Sequence, residues 1–329
     1  MSVHAPAAQA LIGDIGGTHT RLALCGAGVY REVTVFRNAE HAELAGIIAD
    51  FLAARGVAAA ALDCHLAVAA PVDGQETMLT NLAWRISAPE LQARLGLRRV
   101  RLVNDFAAVA LALAALGAGD CQPLGGGQGD PGAPRLVLGP GTGLGAALWI
   151  PAAGRDFVLA TEAGHATLAA ADEREEAIIA AVRRRHGHVS AERLLSGPGL
   201  VELYRAMAEL EGRTVASLTP AEVSARAVAA TDPLAVAALG HFFALLGGFA
   251  GNLALGTGAR GGVYLGGGIL PRLGAALAAS AFRARFLAKG RFAAYLAAVP
   301  LALIVHPEPG LLGLARAAAT DTDTETGVG

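Results

Sequence analysis

The stretch from Leu11 to Leu24, LIGDIGGTHTRLAL, decides which fold this sequence encodes. Two apolar runs suited to β-strands flank a polar tip, where Gly16 and Gly17 favour a tight turn. Such a turn leaves backbone N–H groups open to an anion. Asp14 ends the first strand, where its carboxylate can face a metal ion or a phosphate. Taken alone, the hairpin fits a solvated turn as well as it fits a phosphate site.

A second stretch, Leu136 to Trp149, repeats the pattern as LVLGPGTGLGAALW. Aligned with one gap, Thr142 falls on Thr18 and Leu148 falls on Leu24. Two hairpins of this kind that face one another would hold a polyphosphate from both sides. The repetition therefore favours a nucleotide site over two solvated turns.

The composition limits the classes of protein that the chain can belong to. With 329 residues, 53% of them hydrophobic, the chain can bury a large core and is best divided into two domains. A net charge of -2 gives no general attraction to nucleic acid or to an anionic membrane. The three cysteines form no C-x-x-C pair, which argues against a disulfide framework or a zinc site.

The chain shows no targeting or membrane-spanning pattern. The first ten residues carry no basic region of a secretory signal, so a cytoplasmic location is expected. The longest apolar stretch, His241 to Leu255, is interrupted by four polar or glycine positions and is too short to cross a bilayer. It is predicted to be a buried helix.

The hydrophobic periodicity predicts an alternation of strands and helices. The opening hairpin is followed by a predicted strand at Glu32 to Phe36, a helix from about Glu40 to Arg55 and a strand at His65 to Ala70. The segment Gln122 to Pro134 is rich in glycine and proline and is predicted to be a loop or loose hairpin. This order indicates an α/β protein.

Asn104 and Asp105 stand where the predicted strand Val100 to Val103 stops and an alanine-rich helix, Phe106 to Leu116, begins. A carboxylate at a strand-to-helix junction is the usual place for a site in an α/β protein. Asn and Asp are also preferred helix caps. Both interpretations stay open from the residues alone.

The glycine-rich stretches exclude two familiar nucleotide sites. A Walker A loop needs G-x-x-x-x-G-K-[ST], but the single lysine, Lys289, lies near no such loop. A dinucleotide site needs G-x-G-x-x-G between a strand and a helix. The glycines from Gly139 to Gly145 have another spacing and lead into a strand. What remains is a pair of phosphate hairpins, a third glycine-rich turn at Gly266 to Gly268, and Asp105.

This arrangement resembles the superfamily of sugar kinases, heat-shock ATPases and actin, and within it the bacterial glucokinases of the hexokinase type. The resemblance runs from Leu11 to about Ala318. It is carried by GDIGGTHTRLAL at 13–24, LVNDFAAVA at 102–110, GPGTGLGAA at 139–147, EAGHATLA at 162–169, HVSAERLLSGPGLVELYRA at 188–206, GGVYLGGGILPR at 261–272 and HPEPGLLG at 306–313. The 188–206 segment, with Glu162 and His165, is what points to glucokinase.

The resemblance implies an α/β protein with a two-domain ribonuclease H-like fold, the actin-like ATPase fold, and a cleft between the domains. A small α/β domain would comprise residues 1–110 completed by 306–320. A large α/β domain would comprise residues 111–305. Residues 321–329 would form a disordered tail. Sugar and ATP would meet in the cleft.

The resemblance also implies the roles of individual residues in the ATP-dependent phosphorylation of glucose. Asp105 would be the general base, since a primary hydroxyl is a weak nucleophile whose proton a carboxylate can take. Asp14 would hold Mg²⁺, directly or through water. The residues expected to contact the sugar are Asn104, Asp105, Glu162, His165 and Glu192. Those expected to contact the nucleotide are Asp14, Gly16, Gly17, Thr18, Gly141, Thr142, Gly143, Gly267 and Gly268.

Several alternatives remain at this point. The substrate could be another hexose, such as mannose, fructose or N-acetylglucosamine. The protein could be a non-catalytic sugar-binding regulator on the same fold, or an actin-like or chaperone-type ATPase that needs no sugar. The resemblance further implies a homodimer that binds neither nucleic acid nor membrane.

Overall fold

The computed structural model describes residues 10–72, 74–79, 82–152 and 155–320. The predicted tail at 321–329 lies outside these residues. The strands are β1 Ala10–Ile15, β2 His19–Gly26, β3 Val29–Arg37, β4 Asp63–Val68, β5 Glu76–Leu79, β6 Trp84–Ser87, β7 Arg99–Asn104, β8 Cys121–Gly125, β9 Arg135–Pro140, β10 Leu144–Ala152, β11 Arg155–Thr161, β12 Gly262–Leu265 and β13 Leu301–Ile304. The helices are α1 Leu44–Ala53, α2 Ala88–Leu95, α3 Asp105–Ala112, α4 Glu173–His186, α5 Ala191–Leu194, α6 Gly197–Leu210, α7 Pro220–Val228, α8 Pro233–Thr257, α9 Gly274–Ala278, α10 Phe282–Leu287, α11 Ala293–Ala297 and α12 Pro309–Thr320.

The chain divides into two compact units, and the predicted mixed α/β class is confirmed. Of the described residues, the first unit contains those up to Gly117, those within Ala152–Ala160 and those from His306 to Thr320. The second unit contains Ala118–Pro151 and Thr161–Val305. The chain therefore returns to the first unit with its last helix.

The first unit is a five-stranded sheet in the order β3-β2-β1-β4-β7. The first three strands are antiparallel neighbours, whereas β1, β4 and β7 run parallel. Side chains alternate between the two faces of the sheet, as the period of a strand requires. Leu11 and Ile15 pack in the cluster that includes α1 and α2, whereas Ile12 and Ala23 pack in the cluster under α12.

The second sheet has six strands in the order β11-β10-β9-β12-β13-β8, and all of them except the edge strand β11 belong to the second unit. The hairpin β9–β10 is antiparallel, and β9, β12 and β13 run parallel. The first five strands thus repeat the order of the first sheet, and β8 is added at the edge. The repetition seen between the two glycine-rich stretches is therefore a repetition of sheet topology.

Some predicted boundaries are wrong. The segment Gln122 to Pro134 is not all loop, because β8 pairs antiparallel with β13. Pro123 is accepted there since β8 is an edge strand with one unpaired side. The helix expected from Glu40 begins at Leu44, after a 3₁₀ turn at Asn38–Glu40.

The long helix α8 contains the predicted buried helix, but at 25 residues it is longer than the predicted stretch from His241 to Leu255, so the expectation that it is too short to cross a bilayer is wrong. By length and composition it is the one helix in the described residues that could cross a membrane. However, 72% of its most apolar stretch is buried within the protein. Phe242, Phe243 and Leu246 lie in the core of the second unit. Burial within the unit accounts for the apolar character of α8.

Candidate functional site

The tip of the first hairpin is held by Asn38, a buried residue that follows β3. Its side chain donates to the carbonyl of Gly16 over 2.8 Å and accepts from the Thr20 hydroxyl over 2.8 Å. Its backbone N–H donates to the carbonyl of Thr18. The turn is therefore held in place by Asn38, which directly follows the neighbouring strand β3. No pattern in the sequence singles out Asn38, because the residues that it joins lie about twenty positions away.

Asp14 lies opposite Arg21 in the pairing of β1 with β2. The guanidinium Nη1 of Arg21 is 3.5 Å from Oδ2 of Asp14. Burial raises the pKa of the Asp14 carboxyl, and the charge of Arg21 opposes that shift. The described residues contain no group of three or more metal-ligating side chains. A lone carboxylate nevertheless fits Mg²⁺, since this ion commonly takes one or two carboxylates and completes its shell with water and substrate phosphates.

Asn104 and Asp105 lie at the same end of the parallel strands of the first sheet as the hairpin tip. Ile15 pairs with Val68, and Val68 pairs with Asn104, in parallel register. The strands β1 and β7 are separated only by β4, which corresponds to a spacing of about 10 Å. The carboxyl ends of parallel strands are where α/β proteins place their sites. Asp14 and Asp105 therefore share one edge of the first unit.

Asn104 is the N-cap of α3. Its side-chain oxygen accepts from the backbone N–H groups of Phe106 and Ala107, and its amide donates to the carbonyl of Ala70 over 3.3 Å. The capping interpretation of Asn104 is thus realised in the structure. Asp105 is the first residue of the helix, and its Oδ1 accepts from Phe106 N–H over 2.8 Å.

In the second unit, the predicted sugar residues gather around Leu144 at the start of β10. Glu192 lies on α5, and its Oε2 accepts from the backbone N–H of Leu144 over 2.8 Å. Gly164 packs so closely on Leu144 that an added Cβ would overlap the carbonyl oxygen of Leu144. The turn 162–165 and α5 thus meet at Leu144, where β10 begins.

The turn that carries Glu162 and His165 is joined to the start of α5. Thr167 forms an isolated β-bridge with Ser190, and Ala191 N–H donates to the carbonyl of Ala166 over 2.8 Å. His165 Nε2 is 3.7 Å from Glu162 Oε2, and both side chains are more than half exposed. Glu162, His165 and Glu192 are therefore brought together within the second unit.

The second and third glycine-rich turns touch backbone to backbone. A Cβ on Gly139 would overlap the carbonyl of Gly266, and a Cβ on Gly267 would overlap the carbonyl oxygen of Pro140. Gly267 also has a φ of +82°, which favours glycine. Gly141 N–H donates to the Gly143 carbonyl over 2.8 Å, which closes the second turn. The predicted nucleotide residues of this unit thus form one continuous glycine-rich surface.

Gly143 has a steric role that its place in a phosphate motif does not reveal. A Cβ at this position would overlap Oε2 of Glu192. In Gly143→Ala, the Glu192 carboxylate is displaced from the Leu144 N–H. For the sugar contact of Glu192 that the resemblance implies, we expect the KM for glucose to rise by about tenfold, as for the loss of a hydrogen bond to a charged group. Steady-state kinetics with glucose as the varied substrate measures this effect.

Gly141→Ala is the matched control, because nothing lies within 4 Å of a Cβ added there. Glu192 keeps its place in this variant, and the KM for glucose stays within about twofold of the wild-type value. Equal glucose KM values for the two alanine variants would show that the contact with Glu192 has no bearing on sugar binding.

Comparisons with known proteins agree over nearly the whole chain. The glucokinase family model matches residues 11–321. A glucokinase of Paramagnetospirillum magneticum is 47% identical over 307 residues, which cover 93% of this chain and 96% of that protein.

Solved structures give the same picture. A glucokinase from an Antarctic psychrotroph superposes with a TM-score of 0.84 at 35% identity, covering 94% of this chain and 98% of that one. A ROK family glucokinase from Streptomyces griseus, solved in complex with glucose and AMPPNP, superposes with a TM-score of 0.61 at 20% identity, over 93% and 97% of the two chains. At that identity the likeness concerns the fold. The actin-like ATPase fold expected from the sequence is confirmed.

Proposed function

The chain belongs to the glucokinase family, whose members phosphorylate glucose with ATP, and we propose that Asp105 is the general base of this reaction here. The product is glucose 6-phosphate. The proposal also assigns contacts with the sugar hydroxyls to Asn104, Asp105, Glu162, His165 and Glu192. Because the side-chain oxygen of Asn104 already caps α3, its amide N–H groups are what it would offer to the sugar.

The chemistry needs a base, because the primary hydroxyl of a sugar is a weak nucleophile. A carboxylate within hydrogen-bond distance takes the hydroxyl proton as the oxygen attacks the γ-phosphorus. Asp105 begins α3, and its Oδ1 is oriented by the N–H of Phe106. This contact holds the carboxylate in one orientation without neutralising it.

The observation that supports a sugar substrate is the hydrogen bond from Leu144 N–H to Glu192 Oε2. This hydrogen bond connects Glu192, a proposed sugar ligand, to Leu144, the residue that follows the proposed phosphate turn at Gly141 to Gly143. Only Oε2 takes part in this contact, so Oε1 can accept from a sugar hydroxyl. An ATPase that acts without sugar has no use for an acid in this place. A site built from such acceptors rejects analogues that lack the hydroxyls.

ATP and Mg²⁺ complete the proposal. The ion would be held by Asp14 and would neutralise charge on the transferring phosphoryl group. Backbone N–H groups of the glycine-rich turns would bind the phosphates, through Gly17, Thr18, Thr142, Gly143, Gly267 and Gly268. The N–H groups of Gly16 and Gly141 already donate to the carbonyls of His19 and Gly143, so these two glycines would shape the turns that face the nucleotide. Because the chain has no Walker A lysine, Arg21 is the nearest cationic side chain to Asp14 that can add to this neutralisation.

One experiment tests the activity and its substrate. ADP formation is measured with ATP and Mg²⁺ in the presence of glucose, mannose, fructose, N-acetylglucosamine or no sugar. We expect glucose to give the highest kcat/KM and the sample without sugar to give only background. An enzyme specific for glucose 6-phosphate then identifies the product.

The same assay separates the alternatives. ADP formation that is independent of sugar would support an actin-like or chaperone-type ATPase. Glucose binding by calorimetry without ADP formation would support a regulator. A higher kcat/KM for another hexose would identify that hexose as the substrate. The fold and the proposed general base would be unaffected by that result.

We further propose that the protein works as a homodimer in the cytoplasm, without nucleic acid or membrane partners. This rests on the family resemblance and on the net charge of -2. Sedimentation equilibrium of the full chain, with and without glucose, determines the oligomeric state. A single species with the mass of one chain would rule out the dimer.

A further inference from the structure

Arg21 lies between two carboxylates of the first unit. Its Nη1 is 3.5 Å from Oδ2 of Asp14, and its Nε is 3.3 Å from Oε2 of Glu308. The side chains of Arg21, Asp14 and Glu308 are 34%, 29% and 25% exposed, respectively. Glu308 has no role in the function proposed above. The glycine-rich hairpin does not point to it, because it lies at the other end of the chain.

The fold explains why Glu308 reaches this place. Strand alternation puts Asp14 and Arg21 on the same face of the sheet as Ile12 and Ala23, and this face packs under α12. Glu308 directly precedes α12, and its carbonyl accepts from Leu312 N–H over 3.1 Å. The start of this helix therefore lies over the strand ends that carry the hairpin tip.

The backbone of Glu308 is fixed on both sides. Its N–H donates to Nδ1 of His306 over 3.1 Å, and Pro309 limits the conformations available to the residue before it. Further along α12, Gly313 packs against the carbonyl of Ala108 in α3, the helix that Asp105 begins. The carboxylate of Glu308 is thus held in a defined position relative to the strand that carries Arg21.

Stability alone gives little reason for this arrangement. Ion pairs between side chains that are a quarter to a third exposed contribute little to the free energy of folding, because water screens them. Their effect on geometry is larger. A guanidinium is planar, so contacts at Nε and Nη1 determine the plane and direction of the whole group. The two contacts leave Nη2, which neither ion pair uses, for an anion.

We propose that Glu308 is a positioning residue that holds the Arg21 guanidinium beside Asp14, so that Arg21 meets the phosphates of the nucleotide without reorganising. This inference rests on the proposed function. Without Glu308, Arg21 keeps only the contact with Asp14, and its guanidinium rotates about the remaining side-chain bonds. A preorganised cation stabilises developing charge better than one that must first be ordered.

The test uses Glu308→Ala and Glu308→Gln in the full-length protein. We expect Glu308→Ala to lower kcat by about tenfold, the effect of a misplaced charged group, and to leave the KM for glucose within about twofold. Glu308→Gln should recover part of kcat, because its amide oxygen keeps a partial negative charge beside Nε of Arg21. Melting temperatures of both variants should match the wild type within a few degrees, as for exposed ion pairs.

A double-mutant cycle with Arg21→Ala makes the inference specific. If Glu308 acts through Arg21, the double variant Arg21→Ala/Glu308→Ala is no slower than Arg21→Ala alone. Effects that multiply would overturn the inference, as would a wild-type kcat in Glu308→Ala. A rise in the Mg²⁺ concentration for half-maximal activity, with kcat unchanged, would overturn it too and would make Glu308 a second acid for the ion.

The test of Glu308 can be distinguished from the test of the proposed function. Glucose-dependent ADP formation by the wild type tests the function, and the variants are compared with that rate. A wild type without glucose-dependent turnover would refute the function. An active wild type with an equally active Glu308→Ala would refute only the role of Glu308.

Discussion

Asp105→Ala is expected to lower kcat by roughly 10²- to 10⁴-fold, whereas sugar binding is less affected. The variant removes the proposed general base, but it leaves the proposed sugar ligands Glu162, His165 and Glu192 unchanged. The effect should appear in kcat, because proton transfer contributes in the transition state and not in the ground state. Single-turnover measurement of ADP formation tests it directly.

Asp105→Asn separates the proposed role of Asp105 as a general base from its hydrogen bond at the start of α3. Its side-chain oxygen can still accept from Phe106 N–H, but it cannot take a proton. We expect a loss of kcat similar to that of the alanine variant, with the melting temperature of the wild type. Asp50→Ala, a substitution of an exposed carboxylate on α1, serves as the control and should keep wild-type kinetics. Substantial turnover in both Asp105 variants would remove this residue from the role of base.

Gly313→Ala is expected to destabilise the protein by roughly 3 kcal/mol or more, the upper range for overpacking a close-packed contact. A Cβ on Gly313 would overlap the carbonyl oxygen of Ala108, so α12 and α3 cannot keep their present distance. The neighbour is backbone and cannot rotate away. The separation must therefore increase, and the buried contacts of Leu311 and Leu314 are lost with it. Chemical denaturation of the full chain measures the change in midpoint.

Gly310→Ala is the matched control on the same helix. Nothing lies within 4 Å of a Cβ added there, and Gly310 has no positive φ. Alanine is favoured over glycine in helices by up to about 1 kcal/mol, so this variant should be as stable as the wild type or slightly more stable. A midpoint for Gly313→Ala equal to that of Gly310→Ala would contradict the tight packing between α12 and α3.

Helix capping and ligand binding at Asn104 could not be separated from the sequence, because both depend on the same side-chain oxygen. The structure shows that oxygen engaged with two backbone N–H groups of α3. The packing roles of the glycines also could not be predicted from the sequence. Gly139, Gly143 and Gly267 fall in motifs typical of phosphate turns, yet each also accommodates a neighbouring backbone or a carboxylate. Proximity of this kind cannot be read from spacing along the chain.

The sequence by itself determined the two hairpins, the α/β class, the strand-to-helix junction at Asp105 and the family. These features depend on local order: a period of two in the strands, glycine in the turns, and motifs of adjacent residues. Only the tertiary structure decided that Glu192 binds Leu144 N–H, that Asn38 holds the first turn, and that Glu308 pairs with Arg21. Each of these contacts joins residues far apart in the chain. Such contacts exist only once whole sheets and helices have packed, because packing and not local preference brings the partners within reach.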